Sequence, residues 1–491
     1  MKIEFSTHFI KERIRRMPMA VVLAPLALGI LFSEYVVLPI WLWMAMLSAA
    51  LFIALRYRRV GTTAICVSIF ALGGLLHSVH IPNSLPYGER VRLQMTIDND
   101  SRLRGDYCST TARVTECNRQ RCQSGVVVYS DTTLLFKAGD RIEAVTTVRP
   151  FKSEHRGYAS LMYHRGYVGT TNISHWNIEN LTPAKRSSLH GRAVERLRSL
   201  IPPSDARAVV MAMGVGSKSE ISPQLTEIYS RTGTAHLLAV SGLHVGIVFL
   251  LVNLLLVPLT LLYTGNIFRA IFVVAAIWLY VFLCGMSPSA IRAAIMFSLL
   301  QLSLNSTREY LSENILAGTA FLMLIFDPNL LFDIGFSLSF TAVAGIIFWG
   351  APLLHLIPLR VPVLRQIIEL FIIGFAASLA VMPQVAHSFG VVPVVGVLIN
   401  PIIILTANLI LLPAILSLVT PIPLAAGLLR VAEWCAEMQN HIVGWCSDLR
   451  LSGIEYAFSA KEVVLTYAVF GVLTLLSLGF RRSKSVHLSD I

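Results

Sequence analysis

Long apolar runs separated by short polar breaks occupy most of the chain. Three open it, at about 17–33, 35–55 and 61–80. Seven more dominate the second half, at about 236–263, 267–285, 289–304, 311–326, 330–350, 366–382 and 390–419, and a last one covers about 463–480. Many approach the ~20 residues that a helix needs to cross the hydrocarbon core of a bilayer. Between the two groups the pattern changes to period two. "RVRLQMTID", "TTARVTEC", "GVVVYSD", "TTLLFKAGDRIEAVTTVRPF" and "YVGTTNISHW" are short, β-branched stretches with polar turns between them. They predict a small all-β domain of five or six strands, and closure into a barrel is the economical arrangement because it removes exposed strand edges. Residues 183–232 read as amphipathic interfacial helices, with Ser188 as a candidate N-cap, and 428–449 as a further helix lying on the membrane.

Composition supports this pattern. Of 491 residues, 55% are hydrophobic and only 14% charged, where a soluble domain carries about 25% charged residues. A soluble globular protein is excluded. A secretory signal is the rival reading of the basic, then apolar, N-terminus, but a second apolar run follows at once. Lys11, Arg13, Arg15 and Arg16 precede the first run, Arg56, Arg58 and Arg59 follow the second, and "RRSKS" follows the last. The positive-inside rule puts all three clusters, and both termini, in the cytoplasm. The expected organisation is therefore three N-terminal spans (1–82), an extracytoplasmic β domain (83–182), interfacial helices (183–232), a transmembrane domain (233–480) with about seven to nine crossings, and a cytoplasmic tail (481–491). The net charge of +12 fits contact with anionic lipid, and equally a nucleic-acid partner.

Several polar groups interrupt the apolar runs, where they are costly and usually face a cavity. "GTAHLLAVSGLHVG" carries His236, Ser241, Gly242 and His244. Gly242 and Gly246 make a G-x-x-x-G pair, whose structural reading is close helix packing. "CGMSPSAIRAAIMFSLL" buries Arg292. Such a side chain needs an anionic partner, Asp327, Asp333 or Glu313, or lines an anion path. Asp333, Ser337, His387 and Asn400 add further polar positions. Together these describe a conduit or carrier rather than an anchor. Ser241 has no G-x-S-x-G elbow and no third member to orient a base, so no catalytic residue is assigned. No histidine or carboxylate completes a metal set, no phosphate-binding loop is present, and no metal or cofactor is expected. In the β domain, Cys108, Cys117 and Cys122 are disulfide candidates, with Cys117 and Cys122 facing each other across the "ECNRQRCQ" hairpin as one pairing, one to Cys108 as another, and three free thiols as the alternative. Arg102, Arg104, Arg119 and Arg121 are candidate contacts for a nucleic-acid partner. Tyr107, Tyr129, Phe136, Phe151 and Trp176 are either base-stacking platforms or barrel core.

"GTAHLLAVSGLHVG", "SPSAIRAA", "DPNLLFDIGFSLSF" and "VMPQVAHSFG…LINP" resemble, in this order, signature stretches of the ComEC family of competence DNA-uptake channels, and "FKSEHRGYASLMYHRGYVGT" is similar to the end of that family's OB-fold-like domain. The resemblance implies a polytopic α-helical protein of the inner membrane with an inserted small all-β, OB-like extracytoplasmic domain. It implies passage of single-stranded DNA into the cytoplasm during natural transformation, with Ser241, Gly242 and His244 on the core motif. Expected partners are single-stranded DNA, membrane lipid, a DNA receptor, a separate nuclease, a cytoplasmic helicase or DNA-binding protein, and a second copy of the chain. Many members continue into a metallo-β-lactamase-like domain. No H-x-H-x-D-H cluster occurs here, so this chain is expected to be a core form without nuclease activity. Two other readings stand beside the channel: a transporter of a small or lipid-linked anion, with Arg292 at its site, and an intramembrane hydrolase using Ser241.

Overall fold

The computed structural model of the protein describes residues 17–57, 60–152, 156–183, 189–262, 264–304, 312–354, 361–449 and 452–486. Ser188, the basic residues at 11–16 and 58–59, and the end of the tail from 487 lie outside them. The chain forms two units, one of residues 22–192 with 321–333, the other of residues 193–320 and 334–491 with the first 21.

The first unit opens with α1 (Pro18–Tyr35), α2 (Ile40–Arg56) and α3 (Gly61–Val79). Glycines let α1 and α3 touch. A Cβ at Gly29 would meet the Phe70 carbonyl, and one at Gly73 the Leu26 carbonyl. Backbone approach of this kind is what small residues provide between apolar helices. Trp43 of α2, fully buried, packs with Phe32 and Phe70.

The chain then forms β1 (Arg90–Ile97), β2 (Arg102–Arg104), β3 (Tyr107–Cys117), β4 (Gln120–Asp131) and β5 (Arg141–Arg149), followed by α4 (Arg156–His164), β6 (Tyr167–Ile173) and β7 (Ile178–Thr182). Five strands close a barrel in the order β1-β3-β4-β6-β5 and back to β1, while β2 extends β3 and β7 borders β5. All the barrel pairings are antiparallel except β4 with β6. The period-two pattern is met strand by strand. Leu93, Met95, Ile97, Val126, Val128, Ile142, Ala144 and Val148 point inward, and Phe136 closes the core. Each large side chain withdrawn in this way contributes about 1.5–3 kcal/mol.

The β3–β4 hairpin corrects the disulfide expectation. Its two turn residues, Asn118 and Arg119, have φ of 50° and 67°, as the tight hairpin turn matching strand twist requires. That turn pairs Cys117 with Gln120, and a bulge between Val114 and Glu116 displaces the register before Cys122. Cys108, Cys117 and Cys122 are free thiols. Burial pushes the Cys108 and Cys117 thiols up from their ordinary range.

The second unit is helical, with α6 (Asp205–Val215), α7 (Pro223–Arg231), α8 (Gly242–Leu255), α9 (Gly265–Leu283), α10 (Pro288–Leu304), α12 (Ile334–Gly345), α13 (Ala351–Leu354), α14 (Pro362–Phe389), α15 (Val394–Val419), α16 (Ile422–Ser447) and α17 (Ala460–Val486), while α5 (Leu189–Leu200) and α11 (Ser312–Phe326) run across the boundaries of the two units. The short strands β8 (Val391–Val392) and β9 (Ile454–Glu455) pair. Among the described residues, six helical segments are long and apolar enough to cross a membrane: Pro18–Tyr35, Gly61–Val79, Gly265–Leu283, Ile334–Leu354, Leu364–Phe389 and Val394–Val419.

The segments 183–232 and 428–449, read as interfacial, contain helices packed against the rest of this unit. α6, capped by Ser204 Oγ on the Arg207 N–H and ended by Gly216 at φ 75°, is buried from Ala208 to Val215 against α15 and α16. α16 places Leu429, Ala432, Ala436, Gln439 and Val443 inside and exposes Val431, Trp434 and Trp445. Its exposed residues also include Arg430, Glu437 and His441, so the outer face is mixed in polarity. Inside this packing, Gln439 donates to Tyr229 Oη at 3.0 Å and accepts from Thr406 Oγ1 at 2.9 Å, and Tyr229 donates to Asn440 at 2.7 Å. These buried polar groups satisfy one another.

Candidate functional site

Two regions carry chemistry, one on each unit. On the barrel, a groove of about 710 Å³ runs beside β5 and β6, lined by Arg90, Arg149, Lys152, Tyr129, Trp176 and Asn172 among others. Arg90, Arg149 and Lys152 are exposed at strand ends and in the loop after β5. Trp176 sits in the single helical turn after β6 and is 83% exposed. A tryptophan held out at that level is not core. The groove also contains Glu179, but Arg92 neutralises it at 2.6 Å. Tyr129 meets Tyr107 edge to face at 5.6 Å, which continues the aromatic surface onto β3. Cationic side chains with aromatic faces between them suit a flexible polyanion with stackable bases. A second groove of about 430 Å³ over β1, β5 and β7 lacks aromatics and balances Arg141 with Glu143.

The four candidate arginines separate. Arg102 and Arg104 pair with Ser109 and Tyr107 in the backbone register, beside the aromatic pair. Arg119 and Arg121 lie at the opposite end of the β3–β4 hairpin, about 30 Å away at ~3.3 Å per residue. The groove residues Arg90, Arg149 and Lys152 were not singled out by sequence, because they are scattered over the chain and only the barrel gathers them. Of the candidate aromatics, Phe136 is core at 1% exposure and Trp176 is surface.

Phenol and carboxyl also meet on the barrel. Tyr167 donates to Asp98 Oδ2 at 2.8 Å, and Arg113 approaches Oδ1 at 3.5 Å. Burial pushes Tyr167 up to about 12 and raises the Asp98 carboxyl as well.

In the membrane unit, the core motif forms the start of α8. Ser241 is the N-cap and His244 the third helical residue; the His244 side chain caps the Ser241 backbone amide, while Ser241 Oγ is enclosed without a hydrogen-bond partner among the described residues. His244 Nδ1 accepts the Ser241 N–H at 3.0 Å, which leaves the ring proton on Nε2. That nitrogen is enclosed without a hydrogen-bond partner among the described residues, on a side chain 0% exposed. Because Nδ1 is taken by a backbone amide, His244 is not arranged as a base for Ser241 Oγ. His236 lies in the preceding turn, exposed, with Nδ1 3.2 Å from the Gly233 carbonyl oxygen.

Gly242 and Gly246 face α10. A Cβ at Gly242 would lie 3.7 Å from Ala293 and one at Gly246 2.9 Å from the Phe297 ring. The G-x-x-x-G pair is thus a packing surface. The matching order of contacts makes α8 and α10 parallel, and it sets Arg292, 6% exposed, at the level of the α8 N-terminus. One turn pair further on, Asn253 donates to Gln301 at 3.1 Å. The other candidates do not join this site. Asn400 of α15 donates to Ser378 of α14 at 3.4 Å, and Gln384 of α14 to Thr341 of α12 at 3.3 Å. Ser337 is a partly buried residue of α12. His387 is exposed near the end of α14, with Nδ1 2.7 Å from the Phe458 carbonyl oxygen. Asp333 belongs to the other unit, where it accepts from Arg165 at 2.7 Å. Ser287 Oγ, Ser298 Oγ, Gln384 Oε1 and Asn400 Oδ1 are, like His244 Nε2, enclosed without partners among the described residues. Buried polar atoms of this kind ordinarily bind water or ligand.

Comparison with known proteins bears on the membrane unit. The profile of one family, described as Competence protein, matches residues 213–481, more than half of the chain. ComE operon protein 3 of Bacillus subtilis (strain 168) is 26% identical over 62% of this chain and 40% of its own length. Competence protein ComA of Neisseria gonorrhoeae is 27% identical over 56% and 38%, and Recombination protein 2 of Haemophilus influenzae is 25% identical over 47% and 30%. The chain thus spans well under half the length of these relatives. No solved structure matches it.

Proposed function

This chain belongs to the competence protein family, and from that premise we propose that it conducts single-stranded DNA across the cytoplasmic membrane into the cell. The observation that carries the reading is the barrel groove, where Arg90, Arg149 and Lys152 surround Trp176 and Tyr129. In this reading the barrel is OB-like. Its strand order, with the third strand parallel to the fifth and the ring closed through the fourth, supports that, and such barrels receive oligonucleotides. The barrel lies outside the cytoplasm and both termini inside, by the distribution of Lys and Arg in the sequence. The membrane unit supplies the path, with the unpartnered polar atoms of α8, α10, α14 and α15 along it. The chain itself carries out no chemistry in this proposal. A separate nuclease prepares the single strand, and a cytoplasmic helicase or DNA-binding protein draws it in.

The test is uptake of labelled DNA into the cytoplasm of a strain lacking the gene, complemented by the intact chain or by an Arg149→Ala, Trp176→Ala double variant. Loss on deletion, rescue by the intact chain and weak rescue by the variant are expected. Normal uptake without the gene would sink the reading and favour the small-anion transporter, for which the buried Arg292 is the supporting observation.

A further inference from the structure

Glu34, near the end of α1, receives two imidazoles at once. His77 of α3 brings Nε2 to 3.3 Å from one carboxylate oxygen, and His164, the last residue of α4, brings Nε2 to 3.2 Å from the other. The remaining ring nitrogens are engaged as well. His164 Nδ1 is 2.8 Å from the Ser160 carbonyl oxygen, and His77 Nδ1 is 2.9 Å from Ser33 Oγ. Phe332 closes the cluster, stacked on His164 at 4.3 Å and 5.7 Å from His77. All of these residues belong to one unit.

Counting protons decides what this arrangement needs. A backbone carbonyl and an ionised carboxylate are acceptors only. His164 offers one ring nitrogen to each. Both contacts are hydrogen bonds only if both nitrogens carry protons, or if Glu34 holds a proton and donates it to Nε2. In either case the contact contains one proton more than a neutral imidazole and a carboxylate. Without it, one of the two contacts is lost: either the Nε2 lone pair faces the charged oxygen at 3.2 Å, or the Nδ1 lone pair faces the Ser160 carbonyl oxygen at 2.8 Å. His77 has more freedom. Ser33 has a single hydroxyl proton, shared between the Ile30 carbonyl and His77 Nδ1. When that proton goes to Nδ1, a neutral His77 donates Nε2–H to Glu34.

We propose that Glu34, His77 and His164 form a proton-dependent clasp holding α4 of the barrel domain to the ends of α1 and α3, closed when the shared proton is bound and opened by its loss. The other titratable and charged groups around it are His80, one turn beyond His77, Tyr163 and Tyr87 from the barrel side, Asp327 at the start of the turn that carries Phe332, and the Arg165–Asp333 ion pair at 2.7 Å. That ion pair tethers the end of α4, so opening is local. The closed form binds one more proton than the open form. The clasp is therefore favoured as pH falls and lost as pH rises.

Hydrogen–deuterium exchange of the full chain in lipid nanodiscs, with exchange times scaled to the intrinsic rate at each pH, reads the clasp through peptides covering α4. Wild-type protection should fall about tenfold between acid and alkaline ends, the scale of one charge-assisted hydrogen bond. His164→Ala should remain at the unprotected level throughout. Glu34→Gln should remain at the protected level throughout, because its amide donates to the lone pair of a neutral His164 while its carbonyl accepts from His77. A contact with a merely packing role would not send the two variants to opposite plateaus. Wild-type protection independent of pH, or a Glu34→Gln chain that titrates like the wild type, would overturn the proposal.

Discussion

Trp176 is 83% exposed beside three cationic side chains, and its removal isolates the stacking contribution. Trp176→Ala should weaken single-stranded oligonucleotide binding by about 1–3 kcal/mol, the worth of one base–aromatic stack. Fluorescence anisotropy at fixed salt checks this, and an unchanged melting temperature distinguishes it from damage to the barrel. Asp98 makes a second residue-level prediction. Its carboxyl is raised, first by burial and against the hydrogen bond from Tyr167, so the folded barrel favours the protonated form. Stability from this group is greatest in acid and declines as pH rises from the unfolded carboxylate range through the raised folded value. Asp98→Asn should flatten that slope while still accepting the Tyr167 proton. A slope unchanged in thermal melts across this range would refute it. Residue identity alone favoured a core role for Trp176, since aromatics in small barrels are mostly core. Exposure is a property of the closed barrel and was not legible beforehand.

At the scale of elements, the β3–β4 hairpin shows how a turn overrides a residue-spacing argument. Four residues separate Cys117 from Cys122, which suggested facing thiols, yet the two-residue turn at Asn118 and Arg119 sets Cys117 opposite Gln120. Arg119 occupies left-handed backbone at φ 67°, where a side chain is strained and glycine is not. Arg119→Gly should stabilise the barrel by about 0.5–1 kcal/mol. It should leave oligonucleotide binding intact, because Arg119 does not line the groove. Equilibrium denaturation together with the anisotropy assay tests both halves, and a loss of DNA affinity would return Arg119 to the interface. The helices teach the same lesson differently. The length and apolarity of α9, α14 and α15 were plain in the sequence. The burial of α6 and the inward face of α16 were not, because an amphipathic pattern does not say whether its apolar side meets protein or lipid.

Across the whole molecule, the two units divide the proposed task, so their defects should separate. Arg149→Ala with Trp176→Ala should lower the amount of DNA held at the cell surface together with import. His244→Ala should leave surface-held DNA at its normal level and reduce import alone, since the enclosed Nε2 lies in the membrane unit. Measuring protease-resistant protein, bound DNA and imported DNA in the same cells tests this, and a His244→Ala chain with normal import would remove the motif from the path. The sequence by itself determined the membrane class and the inserted β domain, because apolar length and period-two alternation are local properties of consecutive residues. Tertiary structure alone decided which charges share a groove, which glycines face a neighbouring helix, and that Glu34, His77 and His164 meet. Those contacts join residues up to 130 positions apart, and only closure of the barrel and packing of the helices bring such distant groups within hydrogen-bonding range.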